Sequence, residues 1–257
     1  DDAFDVIRRV NDVSNEFSSI LALHESQPMP SLYANYIDVV EKNAEGRVMA
    51  IPTGFPTLDE WGYGGLRVGN ISFLGGGPGA GKTSFMLRVS LNAAALGFRT
   101  AFIEGEMPPN EILGRMNAMH TRVPVNDLEA GRRMDAVTDF GDYILKLPFQ
   151  LHIDSGRNVQ SLIAAIREAV HAGAKLIFVD YMQVFVAKGN KDNEFSQIKA
   201  LSEALRKLSL INNVHIVAAS SLNRLEVGNE KITLNSFYGG SQLGHDCATA
   251  FILSAQE

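Results

Sequence analysis

The sequence predicts an α/β fold in which a mostly parallel, twisted sheet is covered by helices on both faces. From residue 51 onward, short apolar stretches alternate with helical segments of ten or more residues. This order is typical of parallel strands joined by crossover helices. Two of the stretches, residues 176–179 and 216–219, are continuously apolar, as strands buried on both faces usually are.

The predicted elements of this main domain alternate between strand and helix, except that two strands follow the last helix. Strands are read from short apolar runs, and helices from longer segments bounded by Gly, Asn or Pro. The expected strands cover residues 70–75, 100–103, 149–153, 175–180, 214–220 and 249–254. The expected helices cover residues 84–96, 109–119, 158–171 and 194–211. Ligands of such sheets bind beyond the carboxyl ends of the strands, so the chemistry is expected there.

Residues 1–48 are predicted to form a helical linker segment ahead of the main domain, residues 49–257. Apolar residues recur at helical spacing in the first part of this segment. The predicted boundaries are a helix at 4–21, a proline break at 27–31, a second helix at 32–42 and a loop at 43–46. The first helix packs either on its own domain or on a neighbouring subunit.

Composition and charge limit the possible functions. The chain has 257 residues, of which 46% are hydrophobic and 20% charged, with a net charge of −6. This balance is typical of one large globular domain with a small appendage, and it argues against a protein that coats nucleic acid by charge alone. A single cysteine, Cys247, excludes an intrachain disulfide. The lack of a long apolar run or a signal segment predicts a cytoplasmic protein, and a first residue other than Met indicates a processed or truncated piece.

A glycine-rich loop between the first strand and the first helix of the main domain predicts a phosphate site for ATP. The residues GGPGAGKT at 76–83 match G-x-x-x-x-G-K-[ST] in the required strand-to-helix context. Glycines let backbone N–H groups point at phosphate oxygens, and the helix N-terminus adds partial positive charge. Lys82 is expected to neutralise the β- and γ-phosphates during catalysis. The predicted nucleotide-binding residues are Gly77, Pro78, Gly79, Ala80, Gly81, Lys82, Thr83 and Ser84.

Hydrolysis also requires a metal ion and a group that orients water. The hydroxyl of Thr83 is a predicted ligand of Mg²⁺, and Asp180, at the end of another strand, is expected to hold the ion through water. A carboxylate must orient or deprotonate the attacking water, and Glu104 and Glu106 both follow the strand at 100–103. Alternation places these two acids on the same side, so periodicity alone does not choose between them.

Six short motifs in order resemble those of the ATPase domain of replicative DNA helicases of the DnaB type. They are GFPTLD at 54–59, GLRVG at 65–69, the loop at 76–83, EMP at 106–108, DYMQ at 180–183 and LNR at 222–224. The resemblance extends from Ile51 to the end of the chain. The preceding helices resemble the linker that joins this domain to an N-terminal collar in that family.

The resemblance implies a RecA-like P-loop core that hydrolyses ATP with Mg²⁺ between the subunits of a ring. The ring is expected to be a homohexamer that moves along single-stranded DNA during replication, with primase or a loader protein as further partners. The resemblance selects Glu106, before Met-Pro, as the catalytic acid. It also places the loops after Asp180 and Arg224 at the central channel. Candidate contacts to DNA phosphates are Lys188, Lys191, Arg224 and Lys231.

Two departures from the family pattern matter for function. The family has Gln just before Leu-Asn-Arg, where it senses the γ-phosphate or links it to DNA, whereas this chain has Ser221. Coupling therefore runs through another residue or is weaker. The family also supplies a basic pair to the neighbour's ATP from a strand beyond the last one here, and this chain ends at Glu257. A ring built from this chain alone is expected to turn over ATP slowly.

Two other functions compete with the helicase prediction. One is a RecA-fold ATPase of another role, such as a recombinase or a helicase-related loader or regulator, which Ser221 and the acidic charge balance favour. The other is a non-catalytic binding module in which nucleotide only orders an interface. Intact Lys82, Thr83, Glu106 and Asp180 argue against that module.

Overall fold

The computed structural model describes residues 28–44, 50–186, 191–222, 233, 236–237, 243 and 246–254. These residues fall into two compact units, Asp1–Met49 and Ala50–Glu257. In the first unit, helix α1 (Met29–Ala44) spans 16 residues. The predicted helix at 4–21 lies outside the described residues.

Helix α1 is longer at both ends than the sequence predicts. It begins at Met29, so Pro30 lies in its first turn, and the break expected at 27–31 is wrong there. A proline is tolerated in the first turn because the backbone N–H that it lacks has no partner within the helix at that position. The loop expected at 43–46 is also wrong for Asn43 and Ala44, since both are helical.

The second unit begins with residues 50–67, called here the corner, and continues into a six-stranded sheet. In the corner, β1 (Ala50–Ile51) and β2 (Leu66–Arg67) pair antiparallel. The strands of the main sheet are β3 (Ile71–Gly76), β4 (Thr100–Glu104), β5 (Phe149–Ile153), β6 (Leu176–Asp180), β7 (His215–Ser221) and β8 (Thr249–Leu253). Their order is β5-β4-β6-β7-β3-β8, and all neighbouring pairs are parallel. The predicted parallel α/β sheet is therefore confirmed, and each expected strand agrees to within one residue at either end.

Helices connect the strands and cover the sheet. In the second unit they are α2 (Pro56–Trp61), α3 (Lys82–Ala95), α4 (Pro109–Thr121), α5 (Val125–Glu129), α6 (Met134–Ile144), α7 (Val159–His171) and α8 (Lys191–Asn212). The four predicted helices correspond to α3, α4, α7 and α8, and α8 begins at Lys191 instead of residue 194. The sequence did not predict α2, α5 or α6, and the first two are too short for a helical period to appear. Within the described residues, no helix combines the length and apolarity that crossing a membrane requires.

Apolar side chains pack on both faces of the sheet. Alternation along β4 sends Phe102 to one face and Ile103 to the other. The Phe102 ring stacks on Phe178 with centroids 5.9 Å apart, in a cluster that α3 and α4 complete. On the opposite face, Ile103 shares a cluster with Leu162 of α7 and Leu201 of α8. Because both faces are covered, ligands can reach the sheet only at its edges and strand ends.

At the amino-terminal edge of the sheet, a buried histidine has a partner for each ring nitrogen. His215 begins β7, with Nε2 3.0 Å from Ser72 Oγ and Nδ1 2.6 Å from the carbonyl oxygen of Arg67. Burial lowers the pKa of His215 to about 4, so the ring is neutral at pH 7. A neutral ring donates through one nitrogen and accepts through the other, and a carbonyl can only accept. The Nδ1–H group therefore donates to Arg67, and Nε2 accepts from Ser72.

A carboxylate at this edge fixes the corner before β3. Asp59 Oδ1 accepts hydrogen bonds from the backbone N–H and the hydroxyl of Thr53, each at 2.7 Å. Asp59 Oδ2 accepts from the backbone N–H of Gly54 at 3.1 Å. Asn92, near the end of α3, donates to the carbonyl oxygen of Thr53 at 2.9 Å. The GFPTLD motif therefore ties the corner to the helix that follows the glycine-rich loop.

Candidate active site

The glycine-rich loop forms the strand-to-helix turn that the sequence predicts. Strand β3 ends at Gly76 and helix α3 begins at Lys82. Gly79 and Gly81 have φ angles of 74° and 89°, which residues with a Cβ atom rarely adopt. The space around a Cβ at either position is open, so the backbone conformation, not the room, requires glycine. No side chain caps α3 at Gly81, and a helix N-terminus of this kind suits a phosphate group.

The ammonium group of Lys82 lies against this loop. Its Nζ donates to the carbonyl oxygens of Gly76 at 2.8 Å and Gly77 at 3.1 Å. An ammonium has three N–H donors, so these contacts leave one donor for an anion. Burial lowers the pKa of Lys82, while the charges of Asp180 and Glu106 act in the opposite direction. Lys82 therefore lies within the electrostatic reach of both acids.

Thr83 and Asp180 form a hydroxyl–carboxylate pair between α3 and the end of β6. Thr83 Oγ1 donates to Asp180 Oδ2 at 2.6 Å. Burial raises the pKa of Asp180, and the Thr83 hydrogen bond and the Lys82 charge partly offset this effect. A hydroxyl and a carboxylate are suitable protein ligands for Mg²⁺ at a nucleotide site, where phosphate oxygens and water complete the octahedron. These two residues therefore fit the ion.

The described residues offer no second metal site of comparable quality. They contain no separate group of three or more His, Cys, Asp or Glu side chains suited to a metal ion. The Thr83–Asp180 pair is the metal site that the sequence predicts, and its role as a metal site stays a prediction.

Glu104 and Glu106 occupy different environments, although the strand period predicts the same side for both. Strand β4 ends at Glu104, so the two-residue period of a strand does not extend to Glu106. Glu104 is fully buried at 0% exposure, whereas Glu106 is exposed. Glu104 Oε1 accepts hydrogen bonds from the backbone N–H groups of Glu106 at 2.7 Å and Met107 at 2.9 Å.

The buried carboxyl of Glu104 is only partly paired. Its Oε2 atom is buried and has no hydrogen-bond partner within the described part of the chain. Burial and the neighbouring charge of Asp180 raise the pKa of Glu104 to about 7, although the two backbone hydrogen bonds act against this rise. Of the two acids, Glu106 is the one whose side chain is exposed to water.

The end of β7, where the family pattern has Gln and this chain has Ser221, is contacted by a side chain from the turn after β6. Gln183 Nε2 donates to Ser220 Oγ at 2.9 Å, and the backbone N–H of Ser221 donates to Gln183 Oε1 at 3.3 Å. The DYMQ motif therefore links the ends of β6 and β7. No local pattern in the sequence predicts this contact, because the two residues lie 38 positions apart.

Of the four candidate DNA contacts, one lies among the described residues. Lys188, Arg224 and Lys231 lie outside the described residues. Lys191 is the first residue of α8, although the sequence placed it in a loop before that helix. These four residues therefore remain predictions.

Known proteins with sequences similar to this chain include replicative DNA helicases. The chain is 29% identical over 212 residues to the replicative DNA helicase DnaB of Haemophilus influenzae, covering 78% of this chain and 45% of that protein. It is 25% identical over 218 residues to a probable plasmid replicative DNA helicase of Chlamydia psittaci, covering 82% of this chain and 47% of that protein. The chain therefore spans about half the length of these curated relatives.

Solved structures share the fold. One of them, described as an ATPase domain, superposes with a TM-score of 0.79 at 21% identity, covering 90% of this chain and 84% of that one. A DnaB-like replicative helicase, described with its primase interactions, superposes with a TM-score of 0.74 at 21% identity, covering 97% and 64%. The expected RecA-like core is thereby confirmed. The family model described as DnaB-like helicase C terminal domain matches residues 50–232, and the chain belongs to that family.

Proposed function

We propose that this chain is the motor domain of a replicative DNA helicase, which hydrolyses ATP to move along single-stranded DNA. The observation that carries this proposal is the 2.6 Å contact between Thr83 and Asp180 beside the glycine-rich loop. Lys82 and Glu106 lie within electrostatic reach of the same carboxylate. One strand-end cluster therefore offers an anion site, a pair of metal ligands and an accessible carboxylate.

In the proposed reaction, the chain binds the triphosphate through residues 77–84. Backbone N–H groups of the loop and the start of α3 contact phosphate oxygens, and Lys82 neutralises the β- and γ-phosphates. Thr83 and Asp180 would hold Mg²⁺, which supplies electrostatic stabilisation of the transferring phosphoryl group when it is bound. This division of roles assigns binding and charge neutralisation to the loop.

Glu106 is the proposed catalytic carboxylate, which acts as a base toward the attacking water. Its carboxylate accepts a hydrogen bond from the attacking water and orients it toward the γ-phosphorus. The new P–O bond forms while the bond from the γ-phosphorus to the β–γ bridging oxygen breaks, which yields ADP and inorganic phosphate. Glu104 is less suited to this role because its side chain is fully buried and its Oε1 is occupied by two backbone donors.

The proposed partners follow from the family to which the chain belongs. We propose a homohexameric ring in the cytoplasm of a bacterial or phage-infected cell, with ATP between subunits and single-stranded DNA in the channel. In this arrangement Lys188, Lys191, Arg224 and Lys231 contact DNA phosphates, and residues 1–48 act as a linker. The DnaB-like structure described with primase makes a primase the first protein partner to test, with a loader protein as the second.

The test is ATP hydrolysis with and without single-stranded DNA, on the protein expressed from its complete reading frame. We expect DNA to stimulate turnover, and we expect Lys82→Ala to lower it at least about 100-fold through loss of a preorganised charge. Lys175→Ala is the matched control, because Lys175 is exposed before β6 at the opposite edge of the sheet.

Two outcomes would contradict the helicase proposal. One is hydrolysis that DNA does not stimulate, together with no unwinding of a forked duplex. The other is assembly on DNA into an open filament, seen by electron microscopy, in place of a closed ring, which would favour a recombinase-like role.

A further inference from the structure

Glu106 lies on a tight turn whose path is fixed just before it. The backbone N–H of Gly105 donates to the carbonyl oxygen of Asp180 at 3.0 Å, which extends the contact between β4 and β6. A Cβ atom at Gly105 would lie 2.8 Å from Phe185 Cζ and 2.9 Å from Val184 Cγ1. Contacts this short do not occur without a shift of the neighbours, so the turn is packed closely against the segment after β6.

Glu104 connects the end of the sheet to the backbone of Glu106. Its backbone is held in β4 between β5 and β6, and its side chain is fully buried. One carboxyl oxygen accepts from two successive N–H groups, those of Glu106 and Met107. A single buried acceptor therefore sets the direction in which the chain leaves the strand.

The other side of the Glu106 peptide is contacted from the loop after β5. Arg157 Nη2 donates to the carbonyl oxygen of Glu106 at 3.4 Å. Asp154 Oδ1 accepts from the backbone N–H groups of Gly156 at 2.8 Å and Arg157 at 3.2 Å. The backbone N–H of Asp154 in turn donates to the carbonyl oxygen of Glu104 at 2.8 Å. The turn that carries Glu106 is therefore held from two neighbouring strands.

The position of Glu104 is costly unless it serves this turn. A buried carboxyl whose second oxygen has no hydrogen-bond partner among the described residues, next to the carboxyl of Asp180, is destabilising compared with an apolar side chain of similar size. The backbone hydrogen bonds from residues 106 and 107 to Glu104 offset part of this destabilisation.

We propose that Glu104 is a positioning residue: its buried carboxyl fixes the backbone of Glu106 so that the Glu106 carboxylate faces the phosphate loop. This inference rests on the proposed ATP hydrolysis and on the proposed role of Glu106 in it. Glu104 itself contacts neither nucleotide nor water in this scheme, and its effect on turnover passes through the turn.

The test compares two substitutions of similar size in the protein expressed from its complete reading frame. Glu104→Leu fills the same space but cannot accept a hydrogen bond, whereas Glu104→Gln keeps an acceptor oxygen. We expect Glu104→Leu to lower kcat about 10- to 100-fold, since small displacements of a catalytic group have effects of this size. We expect Glu104→Gln to stay within about threefold of the parent, and the Kd for a fluorescent ATP analogue with Mg²⁺ to change less than about threefold in both variants.

Three outcomes would contradict the proposed role of Glu104. Parent turnover in Glu104→Leu overturns the inference, as does an equal loss in both variants or a loss of nucleotide affinity that parallels the loss of turnover. If circular dichroism shows that Glu104→Leu is unfolded, Glu104→Ala takes its place with the same expectations.

Glu106→Gln separates this inference from the proposed function. An inactive parent, or a Glu106→Gln variant as active as the parent, overturns the proposed function and the inference with it. An active parent, an inactive Glu106→Gln variant and a fully active Glu104→Leu variant overturn only the role of Glu104.

Discussion

Buried and half-buried polar groups have different surroundings at the two ends of the parallel strands. These ends are called here the amino-terminal edge and the carboxyl edge of the central sheet. At the amino-terminal edge, both ring nitrogens of His215 and both carboxylate oxygens of Asp59 have partners. At the carboxyl edge, Glu104 Oε2 is buried with no hydrogen-bond partner among the described residues. Burial also raises the pKa of Asp180 and lowers that of Lys82. Burial therefore disfavours the charged form at both edges, but His215 and Asp59 have hydrogen-bond partners for both polar atoms of their side chains, whereas Glu104 has partners for only one among the described residues.

This difference indicates that the two edges have separate tasks. An unsatisfied buried polar group destabilises a fold by about 1–3 kcal/mol, and perturbed titratable groups cluster at functional sites. The amino-terminal edge is therefore expected to contribute stability and the carboxyl edge to bind and convert a ligand. Substitutions at one edge should change one property and leave the other nearly unchanged.

The largest effect is expected for Glu106→Gln at the carboxyl edge. The amide cannot act as a base for the attacking water, so kcat should fall about 10²- to 10⁴-fold. The melting temperature should stay close to that of the parent, because the Glu106 side chain is exposed. Glu168→Gln, which removes an exposed carboxylate from α7, is the control in the ATPase assay. A Glu106→Gln variant with reduced stability and normal turnover would contradict the assignment of catalysis to the carboxyl edge.

An intermediate effect on stability is expected from the pH dependence of His215. Its folded pKa of about 4 lies below the ordinary value of 6.5, so the folded state favours the neutral ring. This contribution is fully present above about pH 6.5 and is lost as the pH falls toward 4, because only the unfolded state takes up the proton in that range. The difference corresponds to about 3 kcal/mol in the free energy of unfolding.

Urea unfolding at pH 7 and pH 4.5 measures this contribution. Carboxylates elsewhere also titrate in this range, so His215→Asn, which cannot titrate, supplies the reference. The parent should lose more stability than His215→Asn over the same interval. Equal losses in the two proteins would show that the histidine does not stabilise this edge in the expected way.

The smallest effect is expected for Asp59→Ala, which removes the acceptor for three hydrogen bonds at the corner. The free energy of unfolding should fall by about 1–2 kcal/mol, since each bond contributes modestly and the site is half-buried. Turnover measured well below the melting temperature should not change. Asp59→Asn retains an acceptor oxygen and should lose less free energy of unfolding. A marked loss of turnover in either variant would contradict the separation of stability and catalysis between the two edges.

Local patterns were sufficient for the sheet and for the phosphate loop. The six strands of the main sheet were placed to within one residue, and the reason is clearest for β4 and β6, which are buried throughout and therefore mostly apolar. The spacing of glycines before Lys82 predicted the turn because the backbone itself requires positive φ there. Asp180 could be selected because parallel strands bring their carboxyl ends to one edge.

Contacts between distant residues decided the rest. The strand period did not distinguish Glu104 from Glu106. The structure does, because β4 ends at Glu104 and the turn that follows packs against the segment after β6. The link from Gln183 to Ser221 likewise joins residues from two strand ends. The sequence by itself determined the fold and the loop that suits a triphosphate, because those follow from local periodicity and backbone conformation. Only the tertiary structure decided which acid is buried and which is exposed, because burial depends on neighbours that the chain brings together when it folds.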